Sequence, residues 1–415
     1  MRTKGVVAAA VLVAALAASL TACSTPASTV STGFSTEAPA KDIKATINVW
    51  GYVSADTPWI KDSVDKFEKS YPNAKVVYTY YPYDQIAAKL LGTAVAGGGP
   101  DGLIYNPSDA AKLAQSGVIG DIAPFWDSYA DASKFPDSVV WKNGDAIVSV
   151  QGYVNTTALF YNKDILDKLG IKPPKTVAEL GDDLKLATAA GYGGMTMCAN
   201  PTSESEFQIF PWLVSDGQNY GSFDAKGVSK VFGELTGWID AGYIPRDIVG
   251  WTQGDAMDKF GGGNYAFVQA GNWTLSGDAA FPFNWGVVPL PAGSAGSFSV
   301  GGGEGISIGA NSKQPALTWE YFKGSLLDKD FELSLLKSQG NIPVRSDAAD
   351  SPAISSDPNL KVFAEVVATM KNRPSTAKMS DYLLAMGKVW NSVASGLITP
   401  DEAGQQVVDT MNDVK

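Results

Sequence analysis

The sequence predicts an α/β fold made of two globular lobes. Its 415 residues exceed the size of one small domain and fit two lobes of roughly 150 to 200 residues each. Strand-like and helix-like patterns alternate along residues 46–105, as in a mostly parallel sheet covered by helices. Hydrophobic residues make up 45% and charged residues 18%, which is ordinary for a folded globular protein.

The elements follow in order along the chain. The first part is predicted to run strand, helix, strand, helix, strand over residues 46–50, 59–71, 75–81, 84–96 and 103–105. Asp84 is expected to be the N-cap of the second helix. Further strands are expected at 153–161, 265–269, 285–290 and 306–308. Further helices are expected at 164–169, from 177, and at 233–241, 317–336, 360–370, 381–393 and 400–412.

The amino terminus predicts export. Arg2 and Lys4 precede an apolar run at 6–20, which is too short to span a membrane comfortably and is typical of a signal peptide. The following Leu-Thr-Ala-Cys resembles a bacterial lipobox, which implies a signal peptide at 1–22 and acyl chains on Cys23. Residues 23–42 are rich in Ser, Thr, Pro and Ala and are predicted to form a flexible tether. A simple secretory signal with a chance cysteine is the alternative.

Composition excludes several classes of function. The net charge of −11 argues against a nucleic-acid partner. The chain has no histidine, so Ser-His-Asp and Cys-His catalysis and His-ligated zinc are excluded, whereas catalysis by two carboxylates is not. The two cysteines cannot form a zinc site by themselves, and Cys198 is expected to be a small buried thiol. We expect neither a metal nor a cofactor.

Several short segments, dispersed over residues 46–412, carry a resemblance. They are FEKSYPN at 67–73, GGGPD at 97–101, LAQSG at 113–117, NTTALFYNK at 155–163, GNW at 271–273, GGGEG at 301–305 and IPVR at 342–345. In this order and spacing, behind a lipobox, they resemble the extracytoplasmic solute-binding proteins of ABC sugar importers, the broad maltose-binding-protein-like family.

The resemblance implies a two-lobed, type II periplasmic-binding-protein-like fold with a hinge and a ligand cleft between the lobes. By analogy, lobe 1 comprises residues 43–152 plus 287–345, and lobe 2 comprises 153–286 plus 346–415. The implied protein is a monomer without catalytic activity, held on the outer face of the cell membrane by its lipid alone. It would bind a carbohydrate and deliver it to the permease subunits of an ABC importer.

Four candidate ligand-binding residues follow predicted strands or lie where the lobes should join: Tyr52, Asn106, Asn155 and Trp273. In open α/β sheets, ligands lie beyond the carboxyl ends of strands. Aromatic rings can cover the C–H face of a sugar, while amides and carboxylates bind its hydroxyls. The family carries a tryptophan at the position of Trp273, with core packing as the alternative.

Seven further candidates have structural alternatives. They are Asp84, Glu206, Trp212, Trp251, Asp255, Glu304 and Arg345. Glu304 follows three glycines, which allow the backbone to approach a ligand closely. A helix cap explains Asp84 and Asp255 equally well, core packing could explain Trp212 or Trp251, and Arg345 could join the lobes instead.

Two other functions remain open at this point. A secreted glycoside hydrolase needs only two carboxylates about 5–10 Å apart. A receptor for a peptide, polyamine or iron chelate would share the fold, although the many aromatic residues favour a sugar.

Overall fold

The computed structural model of the chain describes residues 34–275 and 281–413. The predicted signal peptide at 1–22 and Cys23, the predicted site of lipid attachment, lie outside these residues, as does the predicted tether up to residue 33. In the described ranges no helix combines the length and the apolar character needed to cross a bilayer.

Strands and helices alternate along the described chain. The strands are β1 (Ala45–Gly51), β2 (Ala74–Tyr80), β3 (Gly102–Tyr105), β4 (Val140–Asn143), β5 (Ala146–Gln151), β6 (Thr157–Asn162), β7 (Gly193–Thr196), β8 (Tyr265–Gly271), β9 (Trp285–Val288) and β10 (Gly305–Ile308). The first eight helices are α1 (Pro58–Ser70), α2 (Tyr83–Ala96), α3 (Ala110–Gln115), α4 (Ala123–Asp127), α5 (Lys163–Leu169), α6 (Val177–Ala189), α7 (Ser203–Ser215) and α8 (Ala225–Asp240). The remaining helices are α9 (Gln253–Gly261), α10 (Pro315–Lys323), α11 (Lys329–Gln339), α12 (Ser346–Ala349), α13 (Pro352–Ser356), α14 (Pro358–Thr369), α15 (Met379–Ala394) and α16 (Pro400–Met411).

The strands form two separate sheets, which confirms the predicted α/β class. One sheet has six strands in the order β2-β1-β3-β10-β5-β4, and the other has four in the order β7-β8-β6-β9. In the six-stranded sheet β1 is parallel to β2 and β3, whereas β10 is antiparallel to β3 and β5. The parallel part is the strand-helix-strand region that the sequence predicts.

Each sheet has its own hydrophobic core. Val49 and Ile104 of the first sheet are buried against Phe322 of α10 and the side chains around it. On the second sheet Leu159 packs with Phe210 of α7 and Trp390 of α15 in a separate cluster. Cys198 is fully buried, as predicted, and burial raises the pKa of its thiol to about 12.

The chain crosses between the two sheets in segments that pair with one another. Asn155 and Gly302 exchange backbone hydrogen bonds of 3.1 and 2.7 Å, and Val154 and Ile342 exchange bonds of 2.9 and 3.2 Å. These residues belong to the connection from β5 to β6, the connection from β9 to β10, and the segment after α11. The three segments therefore lie side by side between the two sheets.

The assignment of residues to lobes stays a proposal, and the sheets favour one change in it. The predicted division begins a second part of lobe 1 at residue 287, whereas β9 pairs with β6 of the four-stranded sheet. Leu290 and Val300 also pack in the core of that sheet. A crossing at residues 301–304 fits this packing better.

The prediction that Asp84 caps α2 is wrong. The helix begins at Tyr83, after Pro82, and Asp84 lies exposed in the first turn. Pro82 occupies the N-cap position, and no side-chain hydrogen bond caps the helix there.

Candidate functional site

A cavity of about 380 Å³ opens where the crossing segments meet the two sheets. Its volume lies in the usual range for small-ligand sites, about 300–1,000 Å³. The six-stranded side contributes the turn after β1, the start of α2 and the residue after β3, and the other side contributes α7, α9 and the turn after β8. The lining residues are Tyr52, Val53, Thr57, Trp59, Tyr83, Asn106, Tyr153, Asn155, Glu204, Phe207, Gln253, Trp273, Gly302, Gly303, Glu304, Gln339 and Asn341.

Aromatic rings cover both sides of the cavity. On the side of the six-stranded sheet, Tyr52 and Tyr83 meet edge to face with ring centroids 5.0 Å apart. On the opposite side, Phe207 and Trp273 meet at 5.8 Å and 68°. Trp273 is half-buried and lies directly after β8, and a Cβ at Gly271 would come within 2.0 Å of its ring. Glycine at 271 is therefore needed for the ring to lie against the backbone.

Glu304 is the most buried acidic side chain of the cavity, with 5% of its surface exposed. Gly303 precedes it with φ +115°, and a Cβ there would lie 2.1 Å from the Tyr153 carbonyl oxygen. Tyr52 Oη donates a 2.8 Å hydrogen bond to Glu304 Oε1. Burial raises the pKa of Glu304 to about 7, an effect that the hydroxyls of Tyr153 and Tyr52 partly offset.

A second carboxylate comes from the first turn of α7. Gln253 binds Glu204 twice, from its backbone N to Oε2 at 3.3 Å and from its Nε2 to the Glu204 carbonyl at 3.2 Å. Burial raises the pKa of Glu204, whereas the bonds from Gln253 and Asn200 lower it. The lining residues that the structure describes include no lysine and no arginine.

Amide groups complete the polar part of the lining. Asn155 Oδ1 accepts a 3.0 Å hydrogen bond from Asn272 Nδ2, and Asn106 Nδ2 donates at 2.6 Å to Tyr83 Oη. In the described residues, Asn341 Oδ1 and Glu304 Oε2 are buried without a hydrogen-bond partner. Because an unpaired buried acceptor is costly, both atoms are suited to accept hydrogen bonds from a ligand.

Five of the eleven predicted ligand-binding residues meet at this cavity: Tyr52, Asn106, Asn155, Trp273 and Glu304. They come from separate turns of the chain, and the sheets and crossing segments bring them together. Their role in binding a ligand stays a proposal.

Three predicted residues are buried elsewhere. Trp212 is in the core of the four-stranded sheet, where its Nε1 donates to Gln269 Oε1 at 2.8 Å. Glu206 pairs with Arg373, whose Nε lies 2.9 Å from Oε1, and accepts a 3.0 Å bond from Tyr220 Oη. Both oxygens of the Glu206 carboxylate thus have partners inside the lobe, and Glu206 does not line the cavity.

Arg345 is also used internally. Its guanidinium binds Asp131 and Asp347 and donates at 2.8 Å to the Leu327 carbonyl. Arg345 does not line the cavity, and its partner Asp131 belongs to the same predicted lobe, so the alternative of a bond between the lobes stays a prediction.

The last three predicted residues lie near the surface and do not line the cavity. Trp251 is half-buried, with Lys259 Nζ 5.6 Å from its ring centroid. Asp255 is exposed in a capping box with Thr252, which lowers the pKa of its carboxyl. Asp84 is exposed on α2. The structural alternatives account for these three residues.

The sequence interpretation missed most of the remaining lining. Tyr83 directly precedes the predicted start of α2, and Asn341 directly precedes the IPVR segment, so position could have suggested both. Trp59 lies in an amphipathic helix and Phe207 in a helix that the periodicity did not show. Among the described residues no group of three or more acidic or cysteine side chains could hold a metal.

The chain is similar to known bacterial binding proteins. A family model described as "Bacterial extracellular solute-binding protein" matches residues 62–362, more than half of the chain. The galactooligosaccharide-binding protein of Bacillus subtilis (strain 168) is 24% identical over 366 residues, which is 85% of each chain. The arabinooligosaccharide-binding protein of the same organism is 25% identical over 208 residues, 48% of this chain and 46% of that protein.

Solved structures agree on the fold. The GacH receptor of Streptomyces glaucescens superposes with a TM-score of 0.80 at 22% identity, covering 90% of this chain and 100% of that one. Maltose-bound MalE3 of T. maritima gives 0.79 at 21% identity, with coverage of 88% and 98%. These similarities confirm the predicted two-lobed type II binding-protein fold, and the chain belongs to the bacterial extracellular solute-binding proteins.

Proposed function

We propose that the protein captures a mono- or oligosaccharide in the cavity between its lobes and delivers it to the permease of an ABC importer. The names of its relatives support a sugar, since they include galactooligosaccharide- and arabinooligosaccharide-binding proteins. Structures with the same fold include complexes with maltose, α-D-tagatose and mannotriose.

One observation carries the proposal: aromatic rings face buried, unpaired hydrogen-bond acceptors across a single cavity. Trp273 and Phe207 can cover the C–H face of a sugar ring. Glu304 Oε2 and Asn341 Oδ1 can accept hydrogen bonds from its hydroxyls. A polyhydroxylated ligand satisfies both parts of the lining at once, whereas a purely apolar ligand would leave the acceptors unpaired.

Transport requires that binding changes the shape of the receptor. The paired crossing segments around Asn155, Gly302 and Ile342 form a narrow connection about which the lobes can bend. Because both lobes line the cavity, a bound sugar contacts both and stabilises their closed arrangement. A closed, loaded receptor is the form we expect the permease to recognise. The lipid on Cys23, the monomeric state and the position outside the cell membrane belong to the same proposal.

Thermal-shift screening followed by calorimetry tests the function. The panel contains maltose, mannotriose, galactobiose and arabinobiose, with amino acids and polyamines as the non-sugar arm. We expect one class of sugar to raise the melting temperature and to bind with micromolar affinity, about −8 kcal/mol. Stabilisation by non-sugars alone would replace the carbohydrate assignment with another solute.

A secreted glycoside hydrolase is the second candidate, and one observation favours it. Glu204 and Glu304 line the same cavity, and a carboxyl whose pKa is raised to about 7 suits a general acid. We propose that the protein is not an enzyme, because its family consists of binding proteins. Assays with p-nitrophenyl glycosides distinguish the two functions. Turnover that Glu304→Gln abolishes would establish the hydrolase.

A further inference from the structure

The charges around the cavity are unbalanced. Two carboxyl groups, from Glu204 and Glu304, line it, and no basic side chain among the described lining residues faces them. Arg373 lies nearby, with its guanidinium 4.9 Å from the Phe207 ring. It is 8% exposed and does not line the cavity, and its charge is balanced by the ion pair with Glu206. The described lining of this cavity therefore has two acidic groups and no basic one, whereas an adjoining cavity that shares Asn106 and Gly302 is lined by Arg373 and Lys142.

The lining also has more hydrogen-bond acceptors than donors available to a ligand. Glu304 Oε2 and Asn341 Oδ1 are acceptors on side chains that are at most 5% exposed, and neither makes a well-formed hydrogen bond within the described residues, although the Tyr153 hydroxyl is close enough to lower the pKa of Glu304. The Tyr52 hydroxyl already donates to the other Glu304 oxygen. A ligand must therefore bring donors, and a ligand with a positive charge would also neutralise the carboxylate.

We propose that this cavity prefers saccharides that carry a protonated amine next to Glu304 and rejects those that carry a carboxylate or a phosphate. The inference rests on the proposed sugar-binding function and narrows its class of ligand. An ammonium group offers three donors and a charge-assisted bond to Glu304, whereas a hydroxyl offers one donor and no charge. An acidic sugar would place a second anion beside a buried carboxylate, where neither charge is hydrated.

Matched derivatives of one sugar test the inference. The neutral panel sugar with the highest affinity is prepared in three further forms: with an amine at the primary carbon of its non-reducing residue, with an amine at C2, and with the primary carbon oxidised to a carboxylate. Calorimetry at pH 7.5 measures their affinities. We expect at least one amine to bind about tenfold more tightly than the neutral sugar, and the uronate to bind at least about tenfold more weakly.

Variants assign the preference to one side chain. In Glu304→Gln the ratio of amine affinity to neutral affinity should fall to about one. Glu332→Gln is the matched control, because Glu332 is buried but does not line the cavity, and its Oε2 accepts from the Val344 and Arg345 amides. The control should keep the wild-type ratio.

The outcomes separate the two proposals. If the neutral sugar binds but neither amine binds more tightly, or if the uronate binds equally well, the charge preference is refuted and the sugar receptor stands. If no member of the neutral panel and no amino sugar binds, the proposed function itself is refuted.

Discussion

Lowering the pH from 9 to 5 should weaken the binding of a neutral saccharide about tenfold, because an ionised Glu304 accepts hydrogen bonds from hydroxyls about twice as strongly as the neutral carboxyl. Burial raises the pKa of this carboxyl to about 7. A group with that pKa is about half ionised at pH 7 and about 1% ionised at pH 5. Affinity should therefore be constant above about pH 8, fall as the carboxyl is protonated around pH 7, and level off near pH 5 at about a tenth of its value at pH 9.

The effect of Glu304 can be separated from that of its neighbours, because the tyrosines that face it do not change charge over this pH range. Burial holds the pKa values of the Tyr52 and Tyr153 hydroxyls well above their usual range, so both stay protonated up to pH 9. Burial also raises the pKa of Glu204, which the Glu304→Gln variant retains, so any contribution of Glu204 remains in that variant. The folding stability of the unliganded protein should depend on pH in the opposite direction from saccharide affinity. Burial favours the neutral Glu304 carboxyl, so its stabilising contribution is present below its ordinary pKa of 4.5 and lost as the pH rises through about 7.

Isothermal titration calorimetry at unit intervals from pH 5 to 9 measures the dependence. Glu304→Gln carries no ionisable group at this position, so its affinity should vary much less over the same range. A wild-type affinity that is constant across the range, or one that increases toward pH 5, would refute the account of Glu304 as the acceptor.

Three further substitutions test other parts of the structure. Trp273→Ala should lower saccharide affinity at least about tenfold with little change in melting temperature, because one stacking face is lost. The control Trp251→Ala changes a tryptophan outside the cavity and should bind normally. Equal losses of affinity in the two variants would remove Trp273 from the site. Glu206→Gln leaves the buried Arg373 charge unpaired and should lower the free energy of unfolding in urea by about 3–5 kcal/mol; a loss below about 1 kcal/mol would contradict the buried ion pair. Gly303→Ala places a Cβ against the Tyr153 carbonyl at a backbone φ of +115°, so both the melting temperature and the affinity should fall. A variant with unchanged melting temperature and affinity would contradict this local geometry.

Local sequence predicts the elements that follow simple periodicity. The strands predicted at 46–50 and 75–81 match β1 and β2 to within one residue at each end, because β-branched and aromatic residues mark both. The hairpin of β4 and β5 was missed, and α7 was missed because Pro211 lies inside it. Pro211 lies inside a helix whose residues around it are buried, and the local sequence does not reveal this burial.

Three of the predicted residues that line the cavity lie directly after strands or close to their ends. Tyr52, Asn106 and Trp273 follow β1, β3 and β8 at or near their ends, so chain topology alone brings them to the cavity. Glu206 shows where such reasoning stops. It lies two residues after Glu204 on α7, about 200° around the helix, so one carboxylate faces the cavity and the other faces the core.

Other parts of the site depend on pairing that is distant in the chain. Tyr153 and Asn341 reach the cavity because the crossing segments pair through Val154 and Ile342, 188 positions apart in sequence. Neither residue belongs to a periodic pattern. Long-range pairing of this kind is set by the completed sheets.

A crystal structure with the highest-affinity saccharide tests the central claim most directly. A sugar ring should lie against Trp273, with a donor within about 2.5–3.2 Å of Glu304 Oε2 and contacts to both lobes. A saccharide bound outside this cavity, or one that leaves Glu304 Oε2 without a donor, would contradict the account.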